Sequence, residues 1–182
     1  IKYKYEKPYG GHKIANIANI PSNEIWYTIT DKYAEIHIEH AIKQNLISNK
    51  YENGKGILKF DSEVTCITDT CGGVFLRNIE CIVLPNSITS IGKSVFTFSD
   101  SIAEIILSNK LEIIGKEACF GLKRLHSIKI PDSVHTIDDW AFSGCLNLRD
   151  VTISNKIKYI GYCAFYECYS LAKIVIPESI EE

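Results

Sequence analysis

The sequence predicts a right-handed solenoid of stacked 23-residue coils with a β-rich cap at its N-terminal end. Three observations predict it. Four consecutive units, starting at Ile82, Ile105, Ile128 and Val151, keep one phase without a slip, and a fifth starts at Ile174 and stops at Glu182. Apolar slots recur in that phase, as in Leu84, Leu107, Ile130, Ile153 and Ile176, or Ile91, Ile114, Ile137 and Ile160. One such unit is too short to bury its own apolar side, whereas stacked units share a continuous core.

A period of 23 residues falls within the leucine-rich-repeat range of roughly 20–29. Each unit opens with a short strand, expected at 79–84, 102–107, 125–130, 148–153 and 171–176. Leu125, Ile128 and Ile130 have the LxxLxL spacing. Strand alternation turns them inward and turns Ser127 and Lys129 outward. A turn slot follows, holding Pro85, Ser108, Pro131, Ser154 and Pro177; proline and its polar neighbours end the strand. A second extended piece comes next, for example 134–137. Gly92, Gly115 and Gly161 then share one slot, which predicts a positive φ there. Asp138 fills that slot in the third unit and tolerates the same conformation. A small residue and an aromatic close the unit, as in Val95-Phe96, Ala141-Phe142 and Ala164-Phe165. The ring is expected to plug the core from a tight turn or 3₁₀ segment. The expected core of the third unit is Leu125, Ile128, Ile130, Ile137, Ala141, Phe142 and Leu148.

A degenerate unit lies upstream. Leu58 to Asp61 match the first-strand slots, and Val64 to Ile67 match the second with one extra residue. Cys71-Gly72-Gly73-Val74-Phe75 replaces the Ala-Phe turn. Before residue 57 the period vanishes. Glu24 to Ile29 is rich in β-branched and aromatic residues and reads as a strand. Tyr33 to His40 alternates in part and reads as a candidate second strand. Leu46 to Glu52 and Lys55 to Phe60 flank Asn53-Gly54, the signature of a hairpin with a type I′ turn. The chain therefore divides into a tail or linker at 1–22, a β-rich cap at 23–56 and the solenoid at 57–182. Solenoid ends expose core and need such a cap.

Composition bounds the function. The 182 residues are 46% apolar and 23% charged, with a net charge of −2. That is a soluble globular composition without the broad basic field that nucleic acid or anionic lipid would require. No apolar run reaches the ~18 residues of a membrane span. No targeting peptide is recognisable. The chain has no methionine, so a processed or trimmed product is expected. Seven cysteines with no close CxxC pair support neither a disulfide framework nor a zinc ribbon. No Asn-x-Ser/Thr sequon occurs, which fits a bacterial product.

Candidate chemistry is sparse. Cys145 and Cys168 share an inward slot and read as stacked buried thiols rather than a disulfide or metal pair. Cys66, Cys71 and Cys81 lie close in sequence, and a disulfide among them is compatible with export. Cys163 is expected at the surface. His37 and His40 would face opposite sides of a strand, which breaks a metal pair. Ser133, His135 and Asp138 sit on a variable, solvated background rather than forming a triad. No catalytic residues, metal ligands or cofactors are expected. The best binding candidates are the outward slots of the concave strands. One file holds Cys81, Glu104, Ser127, Asp150 and Lys173; the next holds Val83, Ile106, Lys129, Thr152 and Val175. The second file is a partly apolar strip. It reads either as ordinary β-propensity or as a surface suited to a protein or peptide partner.

The slots IPxSVxxIGxxAFxxCxxL resemble the BspA-like leucine-rich repeats of bacterial surface proteins. The matches are clearest at Ile130 to Val134, Ala141 to Leu148 and Ala164 to Leu171. Asn23 to Thr28 and Tyr51 to Gly56 are similar to the segment preceding such repeats in proteins of Bacteroides-type gut bacteria. Ser108 and Ser154 depart from proline, Ser99 and Leu122 from cysteine, and Cys119 from phenylalanine. The resemblance implies a secreted or cell-surface protein, often lipid-anchored in its full form, that binds proteins or host matrix. A non-catalytic adhesion module is the leading expectation. A structural spacer of a larger surface protein and an accessory domain of an exported hydrolase are the alternatives. The fifth unit supplies a strand but no Ala-Phe plug. Its 171–176 edge is therefore expected either to continue into a longer protein or to recruit a second copy.

Overall fold

The computed structural model describes residues 19–30, 42–68 and 78–180. The candidate strand at 33–40, the pair His37 and His40, and Cys71 lie outside these residues, as does most of the tail. Three columns stack along the solenoid. The first holds β5 (Ile79–Val83), β7 (Glu104–Ile106), β9 (Ser127–Lys129) and β11 (Asp150–Thr152). The second holds β4 (Cys66–Ile67), β6 (Ser90–Ile91), β8 (Ile113–Ile114), β10 (Thr136–Ile137) and β12 (Tyr159–Ile160). The third is built from tight turns, such as Ala118 N–H to Gly115 O, Ser143 N–H to Trp140 O and Leu148 N–H to Cys145 O.

The second column forms one continuous parallel ladder, β12-β10-β8-β6-β4. Ile91, Ile114, Ile137 and Ile160 stack across it in register. The first column is less regular. β5 pairs with β7 and β9 with β11, both parallel and in register. β7 and β9 are neighbours, but neither ladder extends across them. The fifth expected strand, 171–176, is not in a ladder. No described segment stacks beyond it, and its Val175 and Ile176 side chains are exposed. The following turn is held instead by the Ser179 hydroxyl, which donates to Ile157 O at 2.6 Å.

At the N-terminal end, β2 (Leu46–Glu52) and β3 (Lys55–Phe60) form the expected hairpin. Asn53 and Gly54 have φ of 52° and 78°, as a type I′ turn requires. β1 (Glu24–Ile29) lies between β3 and β5 and is antiparallel to both. This corrects one expectation. Leu58 to Phe60 does not take the first-strand slot beside β5, because β1 occupies that place. The second-strand slot of the degenerate unit does form, with Cys66 opposite Ser90, 24 residues on.

The core runs through all coils. Every expected core residue of the third unit is buried, Leu125, Ile137, Ala141, Phe142 and Leu148 fully so. Phe142 stacks on Phe165 of the next coil, with centroids 5.4 Å apart and rings 5° from parallel. Burial fades in the fourth coil, where Val151, Ile153, Ile160, Phe165 and Leu171 are only partly covered. Cys119, Cys145 and Cys168 are free and buried. The Cys145 thiol donates to Cys119 O and the Cys168 thiol to Phe142 O, each at 3.2 Å. The adjoining Cys168 sulfur, with burial, pushes the Cys145 thiol above its usual range, and burial alone raises Cys119. Cys66 is also a free thiol, and Cys163 is half-buried rather than exposed.

The recurrent glycines have a different cause from the one expected. Gly92, Gly115 and Gly161 do not have positive φ. They sit where successive coils touch. A Cβ on Gly115 would lie 2.8 Å from Ile91 O, and one on Gly161 would run into the Asp138–Asp139 backbone. The left-handed residues come two places later, at Ser94, Glu117, Trp140 and Cys163, with φ of 54–57°. A second left-handed slot holds Phe98, Gly121, Gly144 and Glu167. Such a φ is costly for a non-glycine residue and persists where neighbours over-determine it. Here Ser94, Glu117 and Trp140 each donate their N–H to a carbonyl of the next coil.

Two stability predictions follow from this packing. Phe142→Ala should cost ~3–5 kcal/mol by denaturant unfolding, and a loss under ~1 kcal/mol would show that the ring does not fill the core. Gly115→Ala should cost ~1–3 kcal/mol from overpacking. Gly121→Ala, which meets no atom but has φ of 71°, should cost ~1 kcal/mol. The reverse ranking would argue against contact between coils as the reason for glycine at 115.

Candidate functional site

The outward slots of the first column divide into a covered part and an open part. Strand alternation sends Trp26 and Thr28 of β1 to the outer face, and Ile25, Tyr27 and Ile29 inward. Trp26 stands in register with Ile57 on one side and Val83 on the other. Val83 in turn faces Ile106. With Ile20 and Cys81 these residues make a second, smaller apolar cluster on the outside of the sheet. Val83 is 1% exposed, and Cys81 is buried as well. The Lys55 ammonium lies 3.8 Å above the Trp26 ring, and the Trp26 indole N–H donates to Glu24 Oε2 at 2.9 Å. The apolar half of the strip is therefore the seat of the cap.

Below that cluster the face opens. Ile106 and Glu104 are half-buried, while Ser127, Lys129, Asp150, Thr152, Lys173 and Val175 face solvent. Ser127 pairs with Asp150 and Lys129 with Thr152 on the β9–β11 ladder. This sets the four side chains at strand spacing, about 4.8 Å. The signs alternate, with Glu104 and Asp150 against Lys129 and Lys173. Lys173 and Val175 lie on the segment that has no ladder. The covering of Val83 was foreshadowed by β1 itself, whose large or β-branched side chains point to both faces, the pattern of a strand buried on both sides.

The remaining candidates do not converge. The Ser133 hydroxyl donates to Leu111 O at 2.6 Å, the His135 ring nitrogen contacts the Thr136 hydroxyl at 3.0 Å, and Asp138 accepts from Asp139 N–H at 2.7 Å. Each is engaged with a different partner. Among the described residues no group of three or more His, Cys, Asp or Glu is placed to hold a metal ion. No helix among them is long and apolar enough to cross a membrane.

A surface that the sequence reading did not single out lies on the turn column of the last two coils. Tyr162, Tyr166 and Tyr169 are exposed there. The Trp140 ring stands edge-to-face with Tyr162 and Tyr166, both at 5.7 Å. The clustering of Tyr159, Tyr162, Tyr166 and Tyr169 within one unit was the available signal.

Comparison with known proteins agrees with the coil geometry. The chain is similar to a leucine-rich cell surface protein of Faecalibacterium prausnitzii A2-165, with 25% identity and a TM-score of 0.54 over 62% of this chain. It is also similar to a leucine-rich repeat protein of Bacteroides ovatus ATCC 8483, with 18% identity and a TM-score of 0.47 over 84% of this chain. The chain spans 29% of the first protein and 46% of the second. No curated relative matches it. Residues 73–182 match the BspA-type leucine-rich repeat region in six copies. With stacked coils, phased core and shared repeat motif together, the chain belongs to the BspA-type leucine-rich repeat family.

Proposed function

We propose that this chain is a non-catalytic binding module of a cell-surface or secreted protein, engaging a protein or extracellular-matrix partner through the open part of the strand face. One observation carries the reading: Ser127, Lys129, Asp150 and Thr152 project side by side from a rigid parallel ladder, free of the core. A backbone already fixed in a ladder leaves only the side chains to be ordered when a partner binds. Glu104, Ile106, Lys173 and Val175 extend the surface on either side. The alternating signs favour discrete polar contacts over a general electrostatic attraction. The likeness to a cell surface protein supports the location. The test is binding to immobilised basement-membrane extract. Saturable binding is expected, weakened about fivefold or more by Lys129→Glu with Lys173→Glu. Binding no stronger than to an albumin-coated control would count against the reading.

The same proposal includes self-association through the 171–176 edge. Among the described residues that segment is in no ladder, and Val175 and Ile176 are 66% and 53% exposed. Unpaired edges with apolar side chains recruit further strands. Sedimentation at micromolar concentration should show dimer, returned to monomer by Val175→Lys. A monomer at every concentration tested would remove this part of the proposal.

A further inference from the structure

Phe98 is exposed on the turn side of an earlier coil, and the fourth coil gathers three exposed rings there. The slot of Tyr162 holds Lys93, Lys116 and Asp139 in the earlier coils, and the slot of Tyr169 holds Asp100, Lys123 and Leu146. These are mostly ordinary solvated positions. In the fourth coil they carry phenol rings that stay 72% and 77% exposed, with Tyr166 between them at 53%. Beyond the edge contacts with Trp140, the solvent-facing area of these rings adds nothing to the stacking of the coils. The rings do supply large, stiff, amphipathic contact area, which is why such rings concentrate at interfaces.

The array is held in place. Tyr162 N–H donates to Asp139 Oδ1 at 2.8 Å. Trp140 N–H donates to Tyr162 O at 2.9 Å, and Gly144 N–H to Tyr166 O at 2.8 Å. The Trp140 ring then packs edge-on between Tyr162 and Tyr166, at interplanar angles of 69° and 76°. A surface already ordered in this way costs less to engage. The segment that carries its tyrosines has only negative charge. Residues 161–170 contain Glu167 and no Lys or Arg. The Glu167 carboxylate lies close enough to hold the Tyr169 phenol above its ordinary pKa. Asp139 adjoins Tyr162 and pairs with Lys116 at 3.6 Å, so the carboxylate that the patch offers is chiefly Glu167. Aromatic faces and carboxylates both attract cations, and the planar guanidinium suits both at once, by stacking and by paired hydrogen bonds.

We propose that the patch formed by Trp140, Tyr162, Tyr166 and Tyr169, with Asp139 and Glu167, is a docking surface for an arginine-bearing segment of a protein partner. It lies on the turn column, apart from the strand face, and does not depend on the reading given for that face.

The test is a titration of the full chain with a short alternating Ser–Arg peptide, followed by tryptophan fluorescence and calorimetry at about 0.15 M salt. Saturable binding is expected, several-fold tighter than to the matching Ser–Lys peptide, because lysine lacks the planar fork. Tyr162→Ala and Tyr169→Ala should each weaken it about threefold. Glu167→Gln, which leaves the ring packing alone, should weaken it by a similar factor. Ile47→Ser, on the exposed side of the cap hairpin, should change nothing. Equal affinity for the two peptides would overturn the proposal, as would affinity unchanged in the double tyrosine variant at unchanged Tm. So would binding of a neutral gluco-oligosaccharide in place of the peptide, since that would make the rings a sugar platform.

Discussion

The backbone hydrogen bonds between successive coils are the constraint on which the rest of this structure depends. In the second column Glu112, His135 and Lys158 each donate to the carbonyl 23 residues earlier, at Thr89, Glu112 and His135. In the turn column the sense reverses, and Phe96, Cys119 and Phe142 donate forward to Ala118, Ala141 and Ala164. A buried backbone group without a partner is costly, and a coil this narrow has few partners of its own. An extra residue within a coil has to be taken up between these contacts for the later groups to stay in line. The single 24-residue offset, Cys66 to Ser90, occurs in the first coil, which has the antiparallel cap rather than another coil on its far side.

Once slot is locked on slot, side chains meet their own counterparts. Asn86 accepts from Asn109 N–H, Asp100 pairs with Lys123, and the Ser94 hydroxyl donates to Glu117, each across 23 residues. The turn after the first column shows two solutions to one problem. Ser87, Ser133 and Ser179 donate back to the carbonyls of Val64, Leu111 and Ile157 on the preceding coil. In the alternate coils that position is Lys110 or Lys156, which cannot reach back in the same way. There the proline slot becomes serine, and the Ser108 and Ser154 hydroxyls accept from the N–H two residues on. The departures from proline are thus coupled to the loss of the reaching serine, and both arrangements hold the same bend.

The inward half of the fold was legible because each slot repeats, and a repeated apolar slot has one meaning. The core of the third unit and the second extended piece of each coil were readable in this way, and the Asn53-Gly54 turn was readable from its own residue pair. Glycine was not, since recurrence alone does not separate a left-handed backbone from a close approach. Gly115 is there for Ile91 O, while the left-handed φ falls on Glu117, whose side chain gives no hint of it. The edges were also hard to read. Which strand lies beside β5 depends on a long-range antiparallel pairing, and β1 displaced the segment 58–60 from that place. For the same reason Val83 could be placed on the outer face but not known to be covered by Trp26. Segment 171–176 keeps the strand pattern without the ladder, because periodicity records what a neighbour would satisfy and not whether it does.

A periodic ladder has a further consequence for where function can sit. The inward slots and the contact glycines do most to determine the stack, so the outward slots have more freedom to vary. In most of this chain they drift as that freedom allows: the slot of His135 holds threonine, glutamate and lysine in the other coils. Departures that concentrate in space are different, because drift has no reason to gather them. Two such concentrations stand out. At the N-terminal end the outer face turns apolar at Trp26, Ile57, Val83 and Ile106, and these side chains pack on one another and on Ile20 there. On the fourth coil the outer face turns aromatic, and nothing among the described residues covers Tyr162 or Tyr169. The first concentration has its partner within the chain. The second has the same physical character, large rings ordered by neighbours at a fixed spacing, and its contact area is still open to solvent.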